Sequence, residues 1–243
     1  MMKNYKITVS YDGTDYHGWQ VQPQKQTIQG LIQDALYLFK SKRIKLIGAG
    51  RTDAGVHAAG QVAHFKADLD YSNQELLNAL NGNLPPDIRI IKVENVDMDF
   101  HSLKNARTKI YQYRIINAPD ISPFDIRYTL HLPSALNLIK MNEAASRFIR
   151  KHDFTSFSSN RLRQPVKNVI RSEIKKKGPE IVYKVEADGF LKYMVRTIVG
   201  ALIAAGKDKL TPDEIDSLFK HRKRSVLTPT APAKGLCLIK VKY

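Results

Sequence analysis

The chain has 243 residues, 43% of them hydrophobic, which suits one large domain or two smaller ones sharing a core and excludes a disordered chain. Lys and Arg number 39 against 23 Asp and Glu, a formal charge of +16 that exceeds what solubility needs and points to a polyanionic partner, nucleic acid ahead of an anionic membrane. The single cysteine, Cys237, excludes an internal disulfide and a cysteine-based zinc cluster; it sits in an apolar tail, reads as a small core residue and suits a reducing compartment.

Residues 5–11 alternate apolar and polar side chains as a strand does, with no apolar leader ahead of them, and Asp12-Gly13 follows as a turn. Residues 27–40 carry Ile28, Leu31, Ile32, Ala35, Leu36 and Phe39 at helical spacing. Strands are expected over 45–48 and 61–67, on either side of a glycine-rich loop. A helix is expected over 73–80, with Ser72 as N-cap and Glu75 at capping-box spacing. Pro85-Pro86 ends it, and strands follow over 88–93 and 107–117. The loop 119–123 is the boundary zone between two halves. Beyond it the pattern predicts an amphipathic helix over 134–151, strands over 166–175 and 181–187, and a strong helix over 190–205. A further helix opens at Thr211-Pro212 and ends near His221, and a last strand spans 236–241. Strands and helices interleave throughout, so the class is α+β or α/β. The longest uncharged stretch near a helix, 197–206, is about half a membrane span, so a soluble, cytoplasmic protein is expected.

Chemistry concentrates in Gly48-Ala49-Gly50-Arg51-Thr52-Asp53-Ala54-Gly55-Val56-His57-Ala58. Three glycines there let the backbone bend tightly and let a ligand come near. Asp53 stands in Asp-x-Gly order, common where a chain reverses. The same carboxylate, kept ionised by Arg51 two residues away, can serve as nucleophile or base. Residue order alone leaves both readings open, and Arg51 could instead meet phosphate. The loop matches neither a Walker motif nor a dinucleotide fingerprint. His17, His57, His64 and His101 lack metal-ligand spacing, so no metal site is expected.

Period two puts Arg107, Lys109, Tyr111 and Tyr113 on one strand face, where rings could stack on bases and cations meet phosphates, or where rings are core and charges are solvated. In the helix expected from residue 190, Leu191, Met194, Val195, Ile198 and Leu202 form the apolar stripe, with Lys192, Arg196 and Gly200 beside it at i, i+4 spacing. Basic runs occur at 161–171 (Arg161, Arg163, Lys167, Arg171), 175–177 and 220–224; together they suit a surface that tracks a nucleic-acid backbone. Phe154 and Phe157 read as core.

Along nearly its whole length the sequence resembles the tRNA pseudouridine synthase A family. Tyr11-Asp12-Gly13-Thr14-Asp15-Tyr16-His17-Gly18-Trp19-Gln20, with Gln22-Pro23 and Thr27-Ile28-Gln29-Gly30, is similar to that family's opening signature. Gly50 to Ala58 resembles its catalytic motif, and Lys109-Ile110-Tyr111-Gln112-Tyr113 its tyrosine strand. His152-Asp153-Phe154, Phe190-Leu191 with Met194-Val195-Arg196, and Ala231-Pro232-Ala233 with Gly235-Leu236 match later blocks. Lys192 and Lys234 are mild departures from the family pattern that could tune RNA affinity.

The resemblance implies an α+β protein with two halves, 1–105 carrying the Asp loop and 106–243 the Tyr strand and Arg helix. Their antiparallel sheets would join into one central sheet with the cleft between. It implies a cofactor-free isomerase that converts uridine to pseudouridine at positions 38, 39 and 40 of the tRNA anticodon stem-loop, and a homodimer. By motif match Asp53 is the essential carboxylate, acting either by attack on C1′ of the ribose or by removal of the C2′ proton to give a glycal. Tyr111 packs against the base and takes part in C5 deprotonation, and Arg196 pairs with Asp53. Arg51 takes part in flipping the target base out of the stem, and Leu236 lines the pocket. The competing readings are a non-catalytic RNA-binding or RNA-folding protein on the same scaffold, and a paralogue modifying other RNA uridines.

Overall fold

A computed structural model describes residues 1–40, 43–159 and 164–243. In chain order the elements are β1 (Lys3–Tyr11), α1 (Ile28–Lys40), β2 (Ile47–Gly48), β3 (His57–Ala67), α2 (Asn73–Gly82), β4 (Ile88–Val96), β5 (Thr108–Ile116) and β6 (Leu130–His131). There follow α3 (Leu138–Ser146), β7 (Lys151–Asp153), β8 (Val166–Lys177), β9 (Glu180–Ala187), α4 (Met194–Gly206), α5 (Pro212–His221) and β10 (Leu236–Lys242). Short 3-10 turns lie at Thr155–Phe157 and Ala233–Gly235. The chain forms two compact units, residues 1–107 with 238–243, and residues 108–237. The α+β class expected from the sequence is borne out.

In the first unit the strand order is β4-β1-β3-β10, with β2 added to β3. Alternation in β1 is what buries one of its faces: Tyr5, Ile7 and Val9 are fully buried. Tyr5 lies opposite Phe65 and Ile7 opposite Ala63 and Val93. The Tyr5 and Phe65 rings stack at 5.2 Å. Helix α1 turns Ile28, Ile32 and Leu36 inward, and α2 packs Leu76 and Leu80 against β4. The Ser72–Glu75 capping box forms in both directions. At β3 the chain needs a bare backbone: a Cβ on Gly60 would stand 2.5 Å from the Ile239 carbonyl oxygen of β10.

In the second unit the order is β5-β9-β8-β7, antiparallel, with β6 parallel to β5. Tyr113 opposes Tyr183, and Tyr183 opposes Ile174, which makes one buried row across three strands. Phe148, Phe154, Phe157 and Phe219 are fully buried in one ring cluster, so the core reading of Phe154 and Phe157 holds. Each such ring contributes about 2–3 kcal/mol by removal from water. Helix α4 is buried nearly all round, a wider apolar surface than the five-residue stripe expected of it.

Several expected elements differ. The helix over 134–151 shrinks to α3, because the Asn137 side chain caps the amides of Ile139 and Lys140 and residues 151–153 pair as β7 instead. The strand over 45–48 reduces to Ile47–Gly48. The helix from 190 begins at Met194, because Tyr193 adopts a left-handed backbone (φ 63°). Lys192 therefore lies off the helix, and its expected i, i+4 alignment with Arg196 does not exist. Arg161 and Arg163 of the first basic run lie outside the described residues.

Gly200 in α4 faces the main chain of Pro229 so closely that a Cβ would stand 1.8 Å from its carbonyl oxygen. Gly200→Ala gains about 1 kcal/mol of helix propensity but must push that backbone aside, which costs more. The variant is expected to lose about 2 kcal/mol net, read as a lower calorimetric Tm; an unchanged or raised Tm would show that the contact yields freely.

His64 of β3 is buried, and its Nδ1 accepts the Ser102 amide at 3.1 Å. Burial, with the charges of His101 and Lys66, pushes its pKa from 6.5 down to about 4. The unfolded chain thus binds a proton that the native state refuses between those values. This stability is complete above pH 6.5 and is lost as pH falls toward 4, to the extent of about 3 kcal/mol. His64→Gln, which keeps an acceptor, is expected to flatten that part of the pH–stability curve in urea titrations.

Candidate active site

The Asp53 loop is built by two segments that lie far apart in sequence. After β2 the chain returns to β3 through residues 49–56, and the Asp53 carbonyl accepts the Val56 amide at 3.2 Å to close the turn. Gly55 there has φ +76°, a conformation that other residues take at a cost. The segment following β1 folds onto this turn. The Trp19 amide donates to the Thr52 carbonyl (3.2 Å), the Gly55 amide donates to the Tyr16 carbonyl (3.2 Å), and the Tyr11 and Thr52 hydroxyls bond at 2.8 Å. Gly18 (φ +83°) is pressed against the same turn: a Cβ there would lie 2.5 Å from the Thr52 carbonyl oxygen and 3.0 Å from the Asp53 carbonyl carbon. On Gly13 a Cβ would stand 2.0 Å from the Val56 carbonyl oxygen. The two sequence blocks that looked like separate signatures are one structure.

His57 is buried in that junction. Its Nδ1 lies 3.0 Å from the Gly13 amide nitrogen and 3.0 Å from Asp12 Oδ1. It fastens the two segments to each other, and among the described residues no group of three or more His, Cys, Asp or Glu is placed to hold a metal.

Asp53 itself is half-buried and Arg51 is exposed. A chain of amides sets the position of Arg51. Its Nε donates to Gln20 Oε1 (3.2 Å), Gln20 donates to Gln29 Oε1 (2.7 Å), and Gln29 donates to the Leu46 carbonyl (2.8 Å). Gln61 holds the Gly50 carbonyl at 3.0 Å. Gln20 and Gln29 lie within the quoted motifs, but nothing in their spacing marked them as the support of Arg51.

The second unit carries the remaining candidates. Tyr111 on β5 is buried edge-on against Phe190, with ring centroids 5.1 Å apart. Two residues along, Tyr113 is fully buried and its hydroxyl donates to the Pro232 carbonyl at 2.8 Å, so this ring is core. Burial raises its phenol pKa above the ordinary value, against the opposing charge of Arg196. Lys109, on the same face, has its pKa lowered by burial and by the charge of Lys167.

Arg196 lies in the first turn of α4, where its Nε donates to the Ala231 carbonyl (2.7 Å) while its own carbonyl accepts the Ala231 amide (3.0 Å). Its guanidinium lies 5.0 Å from the centre of the Tyr193 ring. Leu236 is buried at the start of β10, directly after the turn whose Gly235 lies so close to Tyr113 that a Cβ would stand 2.6 Å from the ring. Tyr113 and Arg196 thus fix the segment that delivers Leu236. Arg51 and Asp53 stand together in the first unit; Tyr111, Arg196 and Leu236 stand in the second.

The family described as tRNA pseudouridine synthase matches residues 7–103 and 144–243. Asp53, Arg51, Arg196 and Leu236 fall inside those stretches, and Tyr111 falls between them. The tRNA pseudouridine synthase A of Thermodesulfovibrio yellowstonii is 44% identical over 257 aligned positions that cover the whole of both chains. That of Geobacillus kaustophilus is 39% identical over all of this chain and 95% of its own. That of Acetivibrio thermocellus is 39% identical over the whole of both. With a match of this extent in hand, and with the two signature segments folded into one loop structure, the chain belongs to the tRNA pseudouridine synthase family.

Proposed function

We propose that this protein is an isomerase that converts uridine to pseudouridine in tRNA, with Asp53 as the carboxylate that opens the glycosidic bond. The observation that carries this reading is the Asp53 turn, clamped from outside by the backbone of residues 11–20 through Gly13 and Gly18. A carboxylate on a turn so supported is held ready for reaction without reorganising first.

The conversion is redox-neutral. The N1–C1′ bond breaks, a C5–C1′ bond forms, the C5 proton leaves and N1 regains a proton. Asp53 acts at the ribose, by attack on C1′ or by taking the C2′ proton, and both routes require it ionised. Arg196 is its proposed counter-cation. Arg51, exposed and held through uncharged amides, meets the RNA as the target nucleotide turns out of the stem. Tyr111 packs on the base and Leu236 lines its pocket. The targets are the uridines at positions 38, 39 and 40 of the anticodon stem-loop, and the working enzyme is a cytoplasmic homodimer. No described helix is long and apolar enough to cross a membrane.

Asp53→Asn is expected to lower tritium release from C5-tritiated tRNA by roughly 10³-fold or more, while tRNA affinity stays within about threefold, because phosphate contacts carry most of the binding. Loss of binding together with turnover would count against a chemical role for the carboxylate. Wild-type protein that binds tRNA yet releases no tritium would favour the non-catalytic reading or a different RNA substrate.

With a net charge of +16, tRNA binding is expected to weaken steeply with salt, log Kd rising linearly with log salt concentration. Filter-binding titrations showing a flat dependence would exclude the basic surface as the source of affinity.

A further inference from the structure

Tyr193 is the one aromatic residue in the described chain with a left-handed backbone, φ 63° and ψ 3°. For a bulky side chain that conformation is strained, and strain of this kind persists where the surroundings hold it for a purpose. Helix capping is not that purpose. Tyr193 is the N-cap of α4, yet its side chain makes no cap hydrogen bond, and the residues that cap well are Ser, Thr, Asp and Asn. Nor does the strain supply a main-chain bond that an ordinary cap would lack: the Tyr193 carbonyl accepts the Thr197 amide at 2.9 Å, as any N-cap carbonyl does.

What the conformation does accomplish is placement of the ring. Tyr193 lies under the Arg196 guanidinium at 5.0 Å, with Lys192 Nζ at 5.1 Å from the same ring centre. The backbone on its N-terminal side is anchored, since the Lys192 carbonyl accepts the Ser158 hydroxyl at 3.2 Å and the Ser159 amide at 3.4 Å. Arg196 is thereby gripped through its Nε by the Ala231 carbonyl while its guanidinium carbon lies over an aromatic ring. A guanidinium offers its donors in one plane, so a hydrogen bond at Nε together with a ring beneath the cation restricts where its other donors point.

We propose that Tyr193 is a positioning residue, whose ring, set by the left-handed start of α4, aims the Arg196 guanidinium for the isomerisation. The inference rests on the role assigned to Arg196 above. A helix start with a small residue at 193 would leave the same arginine charge in place with its orientation less restricted, and loss of orientation near reacting atoms costs rate more than affinity.

The test compares single-turnover rates and tRNA affinities of Tyr193→Phe, Tyr193→Leu and Tyr193→Gly, with Arg196→Lys alongside. Tyr193→Phe keeps the ring and is expected to react at the wild-type rate. Tyr193→Leu and Tyr193→Gly are expected to be roughly tenfold slower with unchanged tRNA affinity. Gly accepts the left-handed backbone and Leu does not, so the Gly variant should melt at the higher temperature of the two while being equally slow. That separates orientation of Arg196 from stability of the fold. A Leu variant within about twofold of the wild-type rate would overturn the proposal. So would a loss shared equally by Phe, or one confined to tRNA affinity. A wild-type rate for Arg196→Lys would remove the role of Arg196 and this inference with it. A slow Arg196→Lys beside a fast Tyr193→Leu would remove the positioning role alone.

Discussion

The site depends on one close approach: the main chain of residues 11–20 lies against the main chain of residues 52–56, with Gly13 and Gly18 at the contact. A Cβ at either position would stand 2.0 or 2.5 Å from a carbonyl oxygen, so the approach is possible only where the chain has no Cβ. Once made, it satisfies the polar backbone of the turn from outside through Trp19 and Tyr16, and the Tyr11 hydroxyl holds the Thr52 side chain. Buried amides and carbonyls that lack partners cost about 1–3 kcal/mol each, so a turn supported in this way does not open readily. The Asp53 carboxylate therefore sits on a rigid base although its loop is rich in glycine. Glycine serves close packing here rather than mobility. Trp19 extends the same principle, since its indole lies over Gly48, where a Cβ would stand 2.5 Å from the ring nitrogen.

The electrostatics follow a division of labour among the cations. Arg114 pairs with Glu180, Arg147 and Arg150 share Asp216, and Arg171 pairs with Glu173, so these acids neutralise arginines within the second unit's own fabric. Arg51 is different: it has no ion pair among the described residues and is steered by neutral amides. A carboxylate in the place of Gln20 would compensate its charge. An amide fixes direction and leaves the charge available to phosphate. The surplus of cations in the sequence suits a polyanionic partner, and these ion pairs show which of the described arginine charges are already compensated.

Much of this was legible in the residues. Alternation placed β1, β8 and β9, the Ser72–Glu75 spacing announced the start of α2, and Thr211-Pro212 announced that of α5. The Asp53 loop and the Arg196 block stood out because glycines and charges cluster in them. What stayed hidden depends on tertiary contact or on rare backbone states. Residues 190–193 have the composition of a helix, and nothing local reveals that Tyr193 turns left-handed. The strand β6 is two residues that pair only because β5 is there to receive them, and β7 begins at Lys151, the last residue of the helix expected on periodicity. The amide relay from Gln29 to Arg51 joins residues 22 positions apart through side chains that any surface helix could carry.

The second unit shows how several candidates can be set by a segment that holds none of them. Residues 229–235 touch Gly200 of α4 through Pro229, bond Arg196 in both directions through Ala231, and accept the Tyr113 hydroxyl at Pro232. The same segment ends against the Tyr113 ring at Gly235 and then delivers Leu236. Tyr113 shares its strand with Tyr111, so one irregular stretch is tied to the strand of one candidate, to the side chain of a second and to the backbone of a third. Regular secondary structure could not do this, because its carbonyls are already engaged along the ladder or the helix axis. A loop with unclaimed carbonyls can grip a guanidinium and a phenol at once, which explains why this stretch is irregular yet buried at Ala231 and Gly235. A shift of the segment would move Arg196 and Leu236 together, so the two are parts of one mechanical unit rather than independent positions.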